Sequence, residues 1–179
     1  MRIIWREDME IKESPALELW RLRCLRATRM HYDCVSLYHH REMLLTIGNV
    51  AASIVVMVLS IIHLIYGLNN LLFNSLIGVS SPIVVVTSVL QYVLDYKSRA
   101  LAHAPAGAAY ATLNRKIESL TSRQFTLGDL EEIRQRLDAL GQNSPVPPPS
   151  ILERQDDLNK QIRTLEAALT SHFMGKTPA

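Results

Sequence analysis

Between Met43 and Leu94 the chain carries no Asp, Glu, Lys or Arg, and most positions in this run are apolar. A bilayer core about 30 Å thick is crossed by about 20 apolar helical residues, so the run predicts two spans and not one. They divide as 43–66 and 75–94. Gly67 to Asn74 forms the turn between them, with Gly67, Asn69 and Asn70 as its reversal-forming residues. The expected unit is a helical hairpin.

On either side the pattern turns amphipathic. Ser14-Pro15 and Glu18 open a helix from Pro15 to about Glu42. Leu17, Trp20, Cys24, Ala27, Cys34 and Tyr38 recur along it at three and four, with His31 filling one place in the seam. After the second span the helical pattern runs on through Asp95 and Arg99 into a small-residue stretch from Ala100 to Ala111, where Pro105 is expected to kink or break it. Helical spacing resumes through Leu113, Ile117 and Leu120. Thr126 and Asp129 make a capping-box start for a helix striped by Leu127, Leu130, Ile133, Leu137 and Leu140 and ended by Gly141. Asn143 to Ser150 reads as a stiff proline-rich linker. Ser150 and Glu153 then cap a last helix carrying Ile151, Leu158, Ile162, Leu165 and Leu169.

The expected fold is therefore an all-α membrane protein, a two-helix transmembrane hairpin with N-terminal and C-terminal cytoplasmic helices. Its segments are 1–42, 43–94, 95–142, 143–150 and 151–179. The first 14 residues lack the apolar stretch of a cleaved signal peptide, so the spans are expected to stay in the mature protein. Basic residues flank the hairpin on both sides, Arg21, Arg23, Arg26, Arg29 and Arg41 before it and Lys97, Arg99, Arg115 and Lys116 after it. The turn has none, which puts both termini in the cytoplasm.

Charge alters the picture little. The 19 Lys and Arg against 17 Asp and Glu leave a net charge of +2, too small for a protein that coats duplex nucleic acid. The two cysteines, ten positions apart on one helix, are separated by about 15 Å, beyond disulfide reach within that helix. They read as reduced core thiols.

The first span is not uniformly apolar. Thr46, Asn49, Ser53, Ser60, His63, Gly67 and Asn70 fall within a wedge of about 100° at 100° per residue. Two readings stay open. Such a face is a small-residue seam against the second span, or it lines water, since Asn49 and His63 exceed what close packing needs. Val56 and Met57 interrupt the face with an apolar band able to gate a pore by dewetting. The second span has a weaker stripe of Ser81, Ser88, Gln91 and Asp95, read mainly as the packing partner; Asp95 is placed to bias a cytoplasmic mouth toward cations, or is equally a simple helix-end charge or a partner for Arg99.

From Ser14 to Arg41 there are five basic and two acidic residues, and from Lys97 to Arg123 five and one. Such collars suit anionic headgroups. The sharper reading is a surface for a nucleotide or oligonucleotide, with Arg21, Arg23, Arg26, Lys97, Arg99, Arg115 and Lys116 as phosphate contacts and tyrosines to stack on bases, although the arginines from Arg21 to Arg29 spread around their helix. Six histidines include no pair at metal-ligand spacing, and no nucleophile-and-base signature or phosphate loop appears, so neither a metal, a cofactor nor enzymatic activity is expected.

The order of parts, with Ala100-Leu101-Ala102-His103 followed by Ala108-Ala109-Tyr110-Ala111-Thr112-Leu113-Asn114-Arg115, resembles the SLATT domain over about residues 15 to 175. This is the two-transmembrane effector family associated with SMODS nucleotidyltransferases and SLOG domains in bacterial conflict systems. The resemblance implies a pore-forming effector of antiphage defence in the bacterial inner membrane. Its control would come from a nucleotide or oligonucleotide signal made by a partner nucleotidyltransferase, with His103, whose default role in its small-residue stretch is helix packing, counted among the ligand-binding candidates. Two spans cannot enclose a pore alone, so a homo-oligomer is expected, a tetramer foremost, in contact with membrane lipid. The alternative is a membrane anchor that recruits a soluble partner through the helix from Ile151 to Phe173.

Overall fold

A computed structural model describes residues 15–66, 71–122 and 125–174. The fold is all-α. Helix α1 runs Pro15–Tyr66, α2 Leu71–Leu94, α3 Tyr96–Thr121, α4 Leu127–Asn143, α5 Pro149–Leu152 and α6 Asp156–Met174, with a 3₁₀ turn at Glu153–Gln155 between the last two. The chain forms two compact units. One joins the chain up to Cys34 with the chain from Ala102 onward, and the other is Val35–Leu101.

The first unit is built on two faces of α1. The seam of Leu17 and Cys24 packs on Tyr110, Leu113, Ile117 and Leu120 of α3 and Ile133 of α4, with Trp20, Ala27, Leu130, Leu137 and Leu140 around them. Leu19 and Leu22 point the other way and meet Leu158 and Ile162 of α6, flanked by Leu25, Leu165 and Leu169. That second face is interleaved with arginines in the sequence, which hides its period. Cys24 and Cys34 are free, buried thiols, as their spacing implied.

Local chemistry sets the ends of the helices. Thr126 and Asp129 form the expected reciprocal capping box, but α4 runs past Gly141 to Asn143, where the Ser144 N–H donates to the Leu140 carbonyl at 3.0 Å. Ser150 and Glu153 do not form the expected cap. Pro148 and Pro149 start the single turn of α5, Ser150 lies inside it, and Asp156 and Asp157 occupy the first turn of α6. Pro105 does not break α3 either. Leu101, whose carbonyl loses its helical partner to the proline, and Pro105 itself are on the exposed side, where solvent can satisfy that group.

In the second unit α1 and α2 pair antiparallel. Gln91 Nε2 donates to Thr46 Oγ1 at 2.6 Å, Thr87 Oγ1 to Asn49 Oδ1 at 3.1 Å, and Asn49 Nδ2 to Ser88 Oγ at 3.1 Å. Helix α2 begins at Leu71, so Leu71 to Asn74, expected in the turn, are helical; residues 67–70, with Gly67 and Asn70 of the polar face, lie outside the described residues. Both helices are long and apolar enough to cross a membrane, and the most apolar stretch of each has no buried residue. Large apolar side chains such as Ile47, Ile54, Leu64, Val79 and Val86 stand on the surface, Leu64 at 83% exposure.

Candidate functional site

The polar positions of α1 divide between two settings. Asn49, Val56 and His63 are half-buried, and Asn49 is committed to Thr87 and Ser88 of α2. Thr46, Ser53, Met57 and Ser60 are exposed. Ser53 and Ser60 each donate to the carbonyl four residues back, at 2.8 Å, so both hydroxyls are satisfied within their own helix. Ser88, also exposed, does the same toward Val84. The stripe read from sequence as one face is thus an interhelical polar contact at Asn49 and Thr46, which accepts from Gln91 of α2, beside an outward flank at Ser53 and Ser60. The apolar band splits too, with Met57 55% exposed and Val56 turned partly inward.

Helical pattern does not run unbroken through Asp95. This residue adopts φ +40°, a left-handed conformation that Asp tolerates better than most side chains, and it separates α2 from α3. Its carboxylate accepts from the Ser98 N–H at 3.2 Å, capping α3 in the manner of an N-cap aspartate. Asp95, Glu42 and Lys97 line a hollow of about 720 Å³ with Ser88, Gln91, Tyr92 and Val93. Nearby Tyr38 stacks on Tyr96 at 5.9 Å between ring centroids, and the Arg41 guanidinium lies over Tyr96.

Among the candidate phosphate contacts of the first unit, Arg21, Arg23 and Lys116 are engaged by carboxylates. Arg21 makes a bidentate pair with Glu18, at 2.8 and 2.6 Å, and approaches Glu118 at 3.9 Å; these bonds hold the Glu18 carboxyl below the usual carboxylate range. Arg23 pairs with Glu166 and Lys116 with Glu132, both at 2.6 Å. The Arg26 Nε is buried without a hydrogen-bond partner among the described residues. Arg115 is exposed, as are Lys97 and Arg99 of the other unit. Within the first unit, a hollow of about 520 Å³ between α3 and α4 is lined by Ala108, Ala109, Thr112, Leu113, Ala139 and Leu140, with Lys116 and Arg136 at its edge. Both cations share Glu132, Arg136 at 2.8 Å.

His103 is not on the surface. It is buried at 3% exposure against His31, also 3%, and the two Nδ1 atoms are 2.9 Å apart. Burial lowers both rings below their ordinary pKa, and for His31 the neighbouring ring adds to this. Tyr110 stacks on His31 with ring centroids 5.6 Å apart. Gly107 completes the contact, since a Cβ there would meet His31 Cβ at 3.3 Å. Sequence reasoning missed this pair because its members are far apart in the chain. The one available signal was His31 standing in an otherwise apolar seam. Among the described residues no group of three or more His, Cys, Asp or Glu could hold a metal ion. Compared with known proteins, the chain matches no family model, no curated protein and no solved structure.

Proposed function

We propose that this is a two-span membrane protein whose copies assemble into an ion channel, with both termini cytoplasmic. The observation that carries the reading is the surface of α1 from Met43 and of α2: two paired helices with no charged residue, and with large apolar side chains over much of the surface the pair leaves uncovered. Water would oppose such a surface strongly, whereas lipid accepts it. Tyr38, Tyr96 and Arg41 suit an interfacial anchor at the cytoplasmic end. The outward flank of Ser53, Met57 and Ser60 then turns toward other copies around the axis, with Thr46 at its edge on α2, a tetramer being our preferred assembly, with Asp95 and Glu42 at the mouth.

On the resemblance to SLATT effectors, the signal is a nucleotide or oligonucleotide from a partner nucleotidyltransferase, acting in bacterial defence. Of the basic set, Lys97 and Lys116 each border a hollow of ligand size; the Lys97 hollow also carries Glu42 and Asp95, which oppose an anion, so the α3–α4 hollow, with Arg136 beside Lys116, is the place to look for it. The anchor reading is less favoured, because the apolar stripe of α6 that would recruit a partner already packs on Leu19 and Leu22 of the same chain.

Exchanging 43–94 for an unrelated two-span hairpin separates the readings. In a channel the exchange abolishes ion flux and growth inhibition in cells, whereas in an anchor it spares the cellular effect.

A further inference from the structure

We infer that His31 and His103 form a buried proton-binding site, a latch that holds α1 to α3 when neutral and lets go when it takes up protons. At 2.9 Å, an Nδ1–Nδ1 contact holds a single hydrogen. One ring carries it and donates, and the other presents its lone pair, so the two imidazoles have opposite tautomers. A first added proton goes to the Nε2 of the donor ring and leaves this bond in place. A second can enter only at the accepting Nδ1, where 2.9 Å has no room for two hydrogens and two cationic rings would face each other. The bond then breaks.

Burial resists that charge. On α1, Tyr32 lies beside Gly107 at the contact, Asp33 accepts from Gln155 Nε2 at 3.0 Å, and the Cys34 thiol is pushed up to about 11 by burial and by Asp33. On α3, the Tyr110 phenol is held above its ordinary value chiefly by burial, while Ser144, in the segment after α4, hydrogen-bonds it. Thiol and phenol therefore remain neutral as pH falls, and neither compensates a protonated ring. The sign follows. A histidine lowered from 6.5 in the folded chain contributes stability that is present above pH 6.5 and is lost as pH falls through its folded value.

Position gives the latch its consequence. His31 is three residues before Cys34, where α1 leaves the first unit, and His103 follows Ala102, where α3 enters it. Gly107 permits the close approach, and Pro105 has already removed one backbone bond from the same stretch of α3. Release therefore loosens both helices at the ends that lead into the apolar pair. The site lies wholly in the first unit, so it stands or falls independently of ion conduction.

The test uses the full-length protein in neutral detergent. Nitrogen NMR of ¹⁵N-histidine protein, assigned with His31→Asn and His103→Asn, is expected to show one Nδ1–H and one Nε2–H ring, both titrating below 6.5. Hydrogen exchange, corrected for its intrinsic pH dependence, is expected to lose protection over 102–111 by about threefold or more as pH falls from about 7.5 through the range in which the second ring titrates in the NMR, relative to α4. The double variant His31→Leu/His103→Leu should lack that loss. Identical tautomers, titration at or above 6.5, or the same loss in the double variant would overturn the latch. If the double variant does not fold, the tautomers and titration of the wild type decide alone.

Discussion

Asn49 on α1 uses both ends of its amide on α2, accepting from the Thr87 hydroxyl and donating to the Ser88 hydroxyl, each at 3.1 Å. This makes it the main polar tie of the helix pair, and its removal orphans nothing, because Thr87 and Ser88 also donate to backbone carbonyls on α2. Asn49→Ala is therefore expected to weaken the pair by about 1 to 2 kcal/mol, the scale of interhelical hydrogen bonds in apolar surroundings. Ser53→Ala, whose hydroxyl serves only its own helix, should cost much less. Denaturant unfolding in mild detergent, followed by a dye pair across the two helices, measures both.

Two glycines should respond in opposite directions. Gly141 sits inside α4 with nothing within 4 Å of an added Cβ, so Gly141→Ala should stabilise by about 0.5 to 1 kcal/mol through helix propensity. At Gly107 an added Cβ meets His31 at 3.3 Å and Tyr32 at 3.5 Å. Gly107→Leu should destabilise the helical unit by about 1 to 3 kcal/mol by overpacking that contact. Circular-dichroism melts of the two variants beside wild type give the comparison.

Cys24 and Cys34 should be chemically silent in the folded chain. Burial pushes the Cys24 thiol up to about 12 and, helped by Asp33, the Cys34 thiol to about 11, whereas the thiolate is the reacting species. Disulfide-reagent labelling near pH 8 is expected only as fast as the unit opens. The same raised values mean that their contribution to stability is intact below pH 9.0 and is lost progressively as pH rises toward the folded values. Rapid labelling without denaturant would contradict the packing of α1.

How much could be read from the chain varied with the range of the physics. The apolar helices were legible because the absence of charge from Met43 to Leu94 is a local property, and the α4 cap because Thr126 and Asp129 are three residues apart. The break at Asp95 was not legible, since a left-handed aspartate in a helical pattern leaves no mark in periodicity. Pro105 misled in the opposite sense, because one missing backbone bond on an exposed face costs too little to end a helix. The second face of α1 and the His31–His103 contact depend on α6 and α3 arriving from far along the chain, and no spacing rule within one segment encodes them.

The apolar band divides into two roles that substitution separates. Met57 is exposed on the flank shared with Ser53 and Ser60, so Met57→Ser should lower the dewetting barrier and raise resting leak several-fold. Val56 is half-buried, so Val56→Ser should also weaken the fold, with a hydroxyl in an apolar setting costing about 1 to 3 kcal/mol. Val55→Ser, exposed on another side, serves as the control. Growth inhibition at matched expression reads all three, and equal effects would contradict a directional gate.

The central claim is that copies of this chain join their apolar helices to conduct ions, and potassium flux from liposomes at a series of protein densities tests it most directly. Because one copy supplies only two spans, the account expects flux above that of protein-free vesicles, rising more steeply than linearly with protein per vesicle and increased by Met57→Ser. Flux indistinguishable from protein-free vesicles at every density, for wild type and Met57→Ser alike, would contradict it.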